Sequence, residues 1–184
     1  MAHVIPFEGV APIIGRDVWL APTATVIGHA TIGDESSLWF GAVIRADTLA
    51  IVIGARTNIQ DNAVVHITNE APLDAVDSRG TRIGTQIGDE VTVGHGAIVH
   101  ACTIGSRVLV GMGAIVLDGA KIGNDVLIAA GTVVTPGSQI PDGVIVMGNP
   151  GKIRGPLRES DRFWSHQASE MYVGYAARFR RSGI

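Results

Sequence analysis

The sequence predicts an all-β chain wound as a parallel β-helix, with one α-helix at its C-terminal end. Three observations lead there: branched aliphatics recur every six residues, aromatic residues are scarce, and the pattern changes after Pro150. Apolar residues make up 46% of the 184 but aromatic ones only 5%, so the core must be aliphatic. The 24 glycines supply turn positions at the frequency that short strands need.

The recurrence begins with Ile14, Leu20, Val26, Ile32, Leu38 and Ile44. It shifts register at Thr48–Val52, resumes with Ile53, Ile59 and Val65, and after an interruption runs Ile87, Val93, Val99. One more slip precedes Ile104, Val110, Val116, Ile122, Ile128, Val134, Ile140 and Val146. Neither a 3.6-residue nor a two-residue period generates this series. Each hexad instead supplies one short strand and one corner, with its aliphatic aimed at a central axis. Three hexads close a triangular coil, and coils stack at the strand spacing of about 4.8 Å. A coil buries little by itself, so stability comes from stacking. Glycine follows the aliphatic at Ile14, Ile32, Ile53, Ile87, Val93, Ile104, Val110 and Ile122, where it is expected to ease the backbone around a corner.

Two segments leave the repeat. Residues 69–82 carry proline, glycine and acidic residues without a hexad, and read as a loop ejected from a corner. Two regions follow: a β-helix over 1–155 and a helix over 156–184 that packs on it. Phe163, Trp164, Met171, Tyr172, Tyr175 and Phe179 form the expected apolar stripe of that helix.

The net charge of −3, without a Lys/Arg run, argues against a nucleic-acid partner. One cysteine, Cys102, excludes an intrachain disulfide and fits a reducing compartment. No signal peptide and no membrane-spanning apolar run are visible, so a soluble cytoplasmic protein is expected.

Three of the six histidines lie within the repeat. His66 follows Val65 and His100 follows Val99, so they share a hexad phase and stack on one side once the loop is set aside. His95 has another phase and belongs to a neighbouring face, from which it meets the other two only across a threefold subunit contact. Taken singly, each reads better as a polar side chain outside a coil. Three imidazoles with an open fourth position are the pattern of catalytic zinc.

The aliphatic–glycine hexads resemble the hexapeptide-repeat family, whose members form a left-handed parallel β-helix. The left hand comes from that resemblance alone, since ordinary crossovers are right-handed. Arg45-Ala-Asp47, Asn58-Ile-Gln60-Asp61, His66 and His95-(four residues)-His100, in that order, resemble the γ-class carbonic anhydrases from Ile14 to Pro150. The resemblance implies a homotrimer that hydrates CO2 to bicarbonate at its subunit interfaces. His66, His95 and His100 would be the metal ligands, with His95 from the adjacent subunit. Arg45 and Asp61 would form an intersubunit ion pair, with Asp47 orienting that network. Gln60 would hydrogen-bond the nucleophilic water, with Asn58 as a polar neighbour. The same three acidic and basic residues read equally well as a network that only holds the trimer. Zinc is the expected ion, with Fe2+ or Co2+ compatible with the same ligands.

The sequence departs from the best-studied archaeal type of that family, which carries a glutamate proton shuttle on an acidic loop after its first ligand. Asn69 stands there instead, Thr48 follows Asp47, and Glu70, Asp74 or Asp77 on the loop would have to substitute. Cys102 and Tyr172 read as packing residues, His3 and His29 as solvated, and His166 has no assignment. A metal-dependent acyl-CoA thioesterase, a hexapeptide acyltransferase and a non-catalytic trimer stapled by metal remain as alternatives.

Overall fold

The computed structural model describes residues 1–69 and 75–184, except the side chains of Ser165 and His166. The chain winds as a parallel β-solenoid of about eight turns, followed by a single helix.

Each coil contributes one short strand to each of three faces. The first face stacks Thr25–Ile27, Val43–Arg45, Val64–His66, Ile98–His100, Ile115–Val116 and Val133–Val134 in parallel register. The second runs from Ile13–Ile14 to Gln139–Ile140. The third runs from Trp19–Leu20 to Val144–Met147 and closes on the antiparallel strand Lys152–Pro156. Two strands, Thr25–Ile32 and Val43–Ile53, cross an edge unbroken and join the first two faces into one 12-stranded sheet, while the third is a separate 8-stranded sheet.

Register puts the same hexad position above itself in every coil, as in Val26, Ile44, Val65, Val99 and Val116, all fully buried. Burying each such side chain stabilises the fold by about 1.5–3 kcal/mol. The outermost members, Ile14, Leu20 and Ile140, are only partly buried because no complete coil covers them.

The glycines after the aliphatics serve a purpose other than the one expected. Gly33, Gly54, Gly88 and Gly105 stack in a column on the edge between the second and third faces. A Cβ on Gly88 would lie 2.7 Å from the backbone of Gly105. Their backbone is not left-handed; they are there because the next coil leaves no room. The left-handed positions fall two residues later, one per coil, at Asp17, Glu35, Arg56, Glu90, Arg107 and Asp125. Between the two positions a side-chain oxygen ties the coils: Asp34, Asp89 and Asn124 accept the N–H of Arg16, Ala55 and Ser106 in the coil before.

Every departure from six-residue spacing falls on one edge. From the second face to the third, and from the third to the first, inward aliphatics are always six apart. From the first face to the second, the spacing is nine between Ile44 and Ile53, 22 between Val65 and Ile87, and five between Val99 and Ile104. The short corner is taken by Ala101 in the left-handed region and a buried Cys102.

The helix α1 (Glu159–Arg181) lies against the third face. Phe179 packs on Trp19 and Trp39, and Tyr172 packs edge-on against Trp39 at 5.0 Å. Trp19, Trp39 and Phe40 thus sit outside the aliphatic prism, under the helix. The expected stripe is only half right. Tyr172, Tyr175 and Phe179 pack on the core, but Phe163, Trp164 and Met171 are exposed. Small residues, Ser169 and Ala176, take the buried positions instead and allow close approach, and Ser169 Oγ donates to the Arg56 carbonyl. No helix of the described residues is long and apolar enough to cross a membrane.

Candidate metal centre

Two groups of site residues form on two edges of the prism. On the irregular edge, His66 and His100 end their strands and are direct partners in parallel register. Their ring centroids are 5.3 Å apart. His66 Nδ1 lies 2.8 Å from the carbonyl of Arg45, and its Nε2 lies 2.6 Å from Arg45 Nη2. A carbonyl can only accept and a guanidinium can only donate. The His66 proton is therefore on Nδ1 and the lone pair on Nε2. Arg45 also pairs with Asp47, whose carboxylate lies 3.9 Å from His66 Nδ1. His100 Nδ1 lies 2.6 Å from Asp118 Oδ1, which gives it the same tautomer.

On the edge between the third and first faces, His95 stands two residues beyond the strand Thr92–Val93. Its Nδ1 lies 2.7 Å from Asp61 Oδ2, and Asp61 Oδ1 accepts the N–H of Phe40. Beside it the buried Gln60 donates from Nε2 to Asn58 Oδ1 at 3.1 Å, and Asn58 donates to Thr92 Oγ1 at 2.8 Å. That relay fixes the Gln60 amide and leaves Oε1 as its acceptor. Gln60 and His95 line a cavity of about 350 Å³ whose other walls include Leu109, Met112, Leu127 and Trp164.

The structure thus gathers His66, His100, Arg45 and Asp47 in one place and His95, Asp61, Gln60 and Asn58 in another. Among the described residues of one chain, no three of His, Cys, Asp and Glu converge closely enough to hold an ion. Within the chain, Arg45 and Asp61 are occupied separately, by Asp47 and by His95.

The loop beyond His66 gives a correction. Asp77 is no candidate for a proton shuttle, because its side chain is buried and paired with Arg79 at 3.0 Å. Burial alone would raise its pKa, but the N–H of Thr81 and the guanidinium and N–H of Arg79 outweigh that and hold it below the usual carboxylate value. Glu70 and Asp74 lie outside the described residues. His29 is not solvated: it sits half-buried in a strand, with Nε2 2.9 Å from Thr81 Oγ1. Cys102 is fully buried, which pushes its thiol up to about 12. Tyr172 shares a cavity of about 570 Å³ with Asp61, Trp39 and Arg178, and burial, then Asp61 and Tyr175, raise its pKa.

Hexapeptide-repeat models match the chain: bacterial transferase hexapeptide (six repeats) at residues 11–46 and 101–136, and the hexapeptide repeat of succinyl-transferase at 78–101. A carbonic anhydrase of Geobacillus kaustophilus is 44% identical over 86% of this chain and 80% of its own length. Gamma carbonic anhydrase 2, mitochondrial, of Arabidopsis thaliana is 39% identical over 90% of this chain, which spans 58% of that protein. The chain belongs to the γ-carbonic anhydrase family. Within it, this γ-carbonic anhydrase relative superimposes on the crystal structure of a putative acetyltransferase from Bacillus cereus. That pair has a TM-score of 0.88 and 34% identity, over 98% of each chain.

Family membership implies a metal cofactor, and the donor set of this γ-carbonic anhydrase relative fits one. His66 and His100 give Nδ1 to an oxygen acceptor, which leaves Nε2 as the ligand atom, and His95 Nδ1 stands beside the Asp61 carboxylate. Metal-binding histidines depend on such support. The sequence reading missed Asp118. Its signal was obscured, since the coil from Val99 to Val116 is one residue short and puts position 117, not Asp118, in register with His100.

Proposed function

We propose that the chain is a metal-dependent hydratase that interconverts CO2 and bicarbonate, active as a homotrimer with one cation at each subunit interface. The observation that carries this reading is the tautomer shared by His66 and His100, each with Nδ1 bonded to an oxygen, with His95 Nδ1 beside Asp61 on a second edge that one chain does not bring to them. His66 and His100 of one subunit and His95 of the next would hold the ion, with zinc the first choice and Fe2+ or Co2+ compatible with the same donors.

Such a cation supplies the Lewis acidity that makes water a nucleophile at neutral pH. The chain's own residues do the rest. Gln60 Oε1 accepts a hydrogen bond from that water and orients its lone pair, because Asn58 and Thr92 prevent the amide from flipping. The leucine and methionine walls beside Gln60 offer CO2 an apolar resting place with little competition from water. Arg45, released from His66 when the ion enters, would pair with Asp61 of the neighbouring subunit and fix the register of the two edges. Asp47 would steady Arg45 in both positions.

A second reading has its own support. The Bacillus cereus structure is described as a putative acetyltransferase, and the cavity at Gln60 is larger than CO2 needs. A metal-dependent acyl-CoA thioesterase or a hexapeptide acyltransferase would use that extra apolar volume for an acyl group. A third, a trimer merely stapled by metal, predicts binding without turnover.

One experiment separates them: metal analysis of the purified protein, with CO2 hydration and thioester hydrolysis assayed in parallel and His95→Ala as control. The proposal expects one ion per chain and hydration activity, both lost in His95→Ala. Thioester hydrolysis without hydration moves the assignment to the second reading, and bound metal without either activity to the third.

A further inference from the structure

Of the three histidines, His100 has a supporting partner outside the residues that the sequence singles out. Asp118 follows the strand Ile115–Val116 in the next coil, and its Oδ1 lies 2.6 Å from His100 Nδ1. Register alone does not put it there, because Val116 lies above Val99 and position 117 would lie above His100. The acid stands one place further on, at the edge where the His100 coil is a residue short. Its backbone is held from both sides: Gly119 N–H donates to the Ala101 carbonyl at 2.7 Å, and Gly137 N–H donates to the Asp118 carbonyl at 2.8 Å. The backbone that carries the carboxylate is therefore fixed at this corner.

His66 rests on a neutral carbonyl, whereas His100 rests on a full negative charge. A carboxylate behind a ligating imidazole fixes the tautomer, restrains ring rotation and raises the basicity of the far nitrogen.

We propose that Asp118 is a positioning residue of the metal centre: by accepting the Nδ1–H of His100 it aims Nε2 at the cation and sets the affinity of the site. The inference rests on the metal-site reading above and deepens it.

The test uses the intact oligomer in two measurements. In the metal-free protein, the ring nitrogen shifts of 15N-labelled His100 report its tautomer. Wild type is expected to carry the proton on Nδ1, Asp118→Ala to lose that preference, and Asp118→Asn to keep part of it, since an amide oxygen still accepts. Zinc affinity is then measured by competition with a chromophoric chelator. Asp118→Ala is expected to bind about 10–100-fold more weakly with Asp118→Asn between, at unchanged oligomer size by light scattering. An Nε2–H tautomer in wild type, or zinc affinity unchanged in Asp118→Ala, overturns the proposal. Failure of wild type to bind any zinc overturns the metal reading itself and with it the function given to Asp118. The tautomer result would then still decide whether Asp118 holds the ring.

Discussion

Arg45 donates to the free nitrogen of His66 at 2.6 Å, so in the single chain a guanidinium occupies the lone pair that a cation would need. In the proposed site the ion would displace it, leaving Arg45 paired with Asp47 and with donors free for a second carboxylate. If the partner is Asp61 of the adjacent subunit, Arg45→Ala and Asp61→Ala will be non-additive in trimer dissociation measured by sedimentation. A coupling of about 1–3 kcal/mol is expected, and a value near zero would show that the pair is not made.

Complementation between variants reads the shared site directly. His66→Ala and His95→Ala are each expected to bind no metal. Unfolded together and refolded as mixed trimers, they should regain about a quarter of the wild-type sites, because each hybrid ring rebuilds one interface. No recovery at all would place the ligands within one chain or in another arrangement.

Gln60 is proposed to orient the nucleophile without touching the ion. Gln60→Ala should keep its full complement of metal while hydration kcat/KM falls about tenfold, the loss expected for one hydrogen bond of about 1.4 kcal/mol. Loss of metal in this variant would contradict the assignment.

Packing of the coils should be least forgiving at the glycine column. Gly88→Ala puts a Cβ 2.7 Å from the backbone of Gly105, which cannot move without shifting a coil. A loss of about 1–3 kcal/mol in urea unfolding is expected. Gly174→Ala in α1 meets nothing within 4 Å and should be neutral or stabilising by up to about 1 kcal/mol.

Acid should loosen the segment that follows the interruption. Burial, then the Arg79 charge, hold the His29 pKa below the ordinary 6.5, with Asp77 opposing. The unfolded chain therefore binds more protons than the folded one, so His29 contributes full stability above 6.5 and loses it as pH falls through and below that value. Exchange of the Thr81 and Ile83 amides, which bond to Asp77 Oδ1 and the Ala75 carbonyl, should lose protection as pH falls below about 6.5. His29→Gln should remove most of that pH dependence. Asp77, whose pKa is also lowered, adds a second loss only at more acid pH.

The fold was legible because a solenoid writes its packing directly into the chain. Ile104, Ile122 and Ile140 are neighbours in space by the same one-coil spacing that makes them visible in sequence. Glycine was visible too, but not its reason: nothing in the string distinguishes a residue that must turn, such as Gly113, from one that must make room, such as Gly88. The helix misled because its face is chosen by the partner. Trp19 and Trp39 accept Tyr172 and Phe179, while the sequence offered Phe163 and Trp164 on equal terms. Likewise Asp77 looked like any loop acid until its burial against Arg79 was seen. Asp118 escaped because its partnership depends on a one-residue shortening that displaces the expected register.

The uneven edge explains how so regular an object can carry specific chemistry. Along the other two edges the inward aliphatics keep a spacing of six throughout. On this one, lengths of nine, 22 and five are absorbed between the same pair of faces, and the winding resumes as if nothing had happened. That margin behaves like a hem, let out or taken in without recutting the cloth. Arg45, Asp47, His66 and His100 all lie at the places where it was altered.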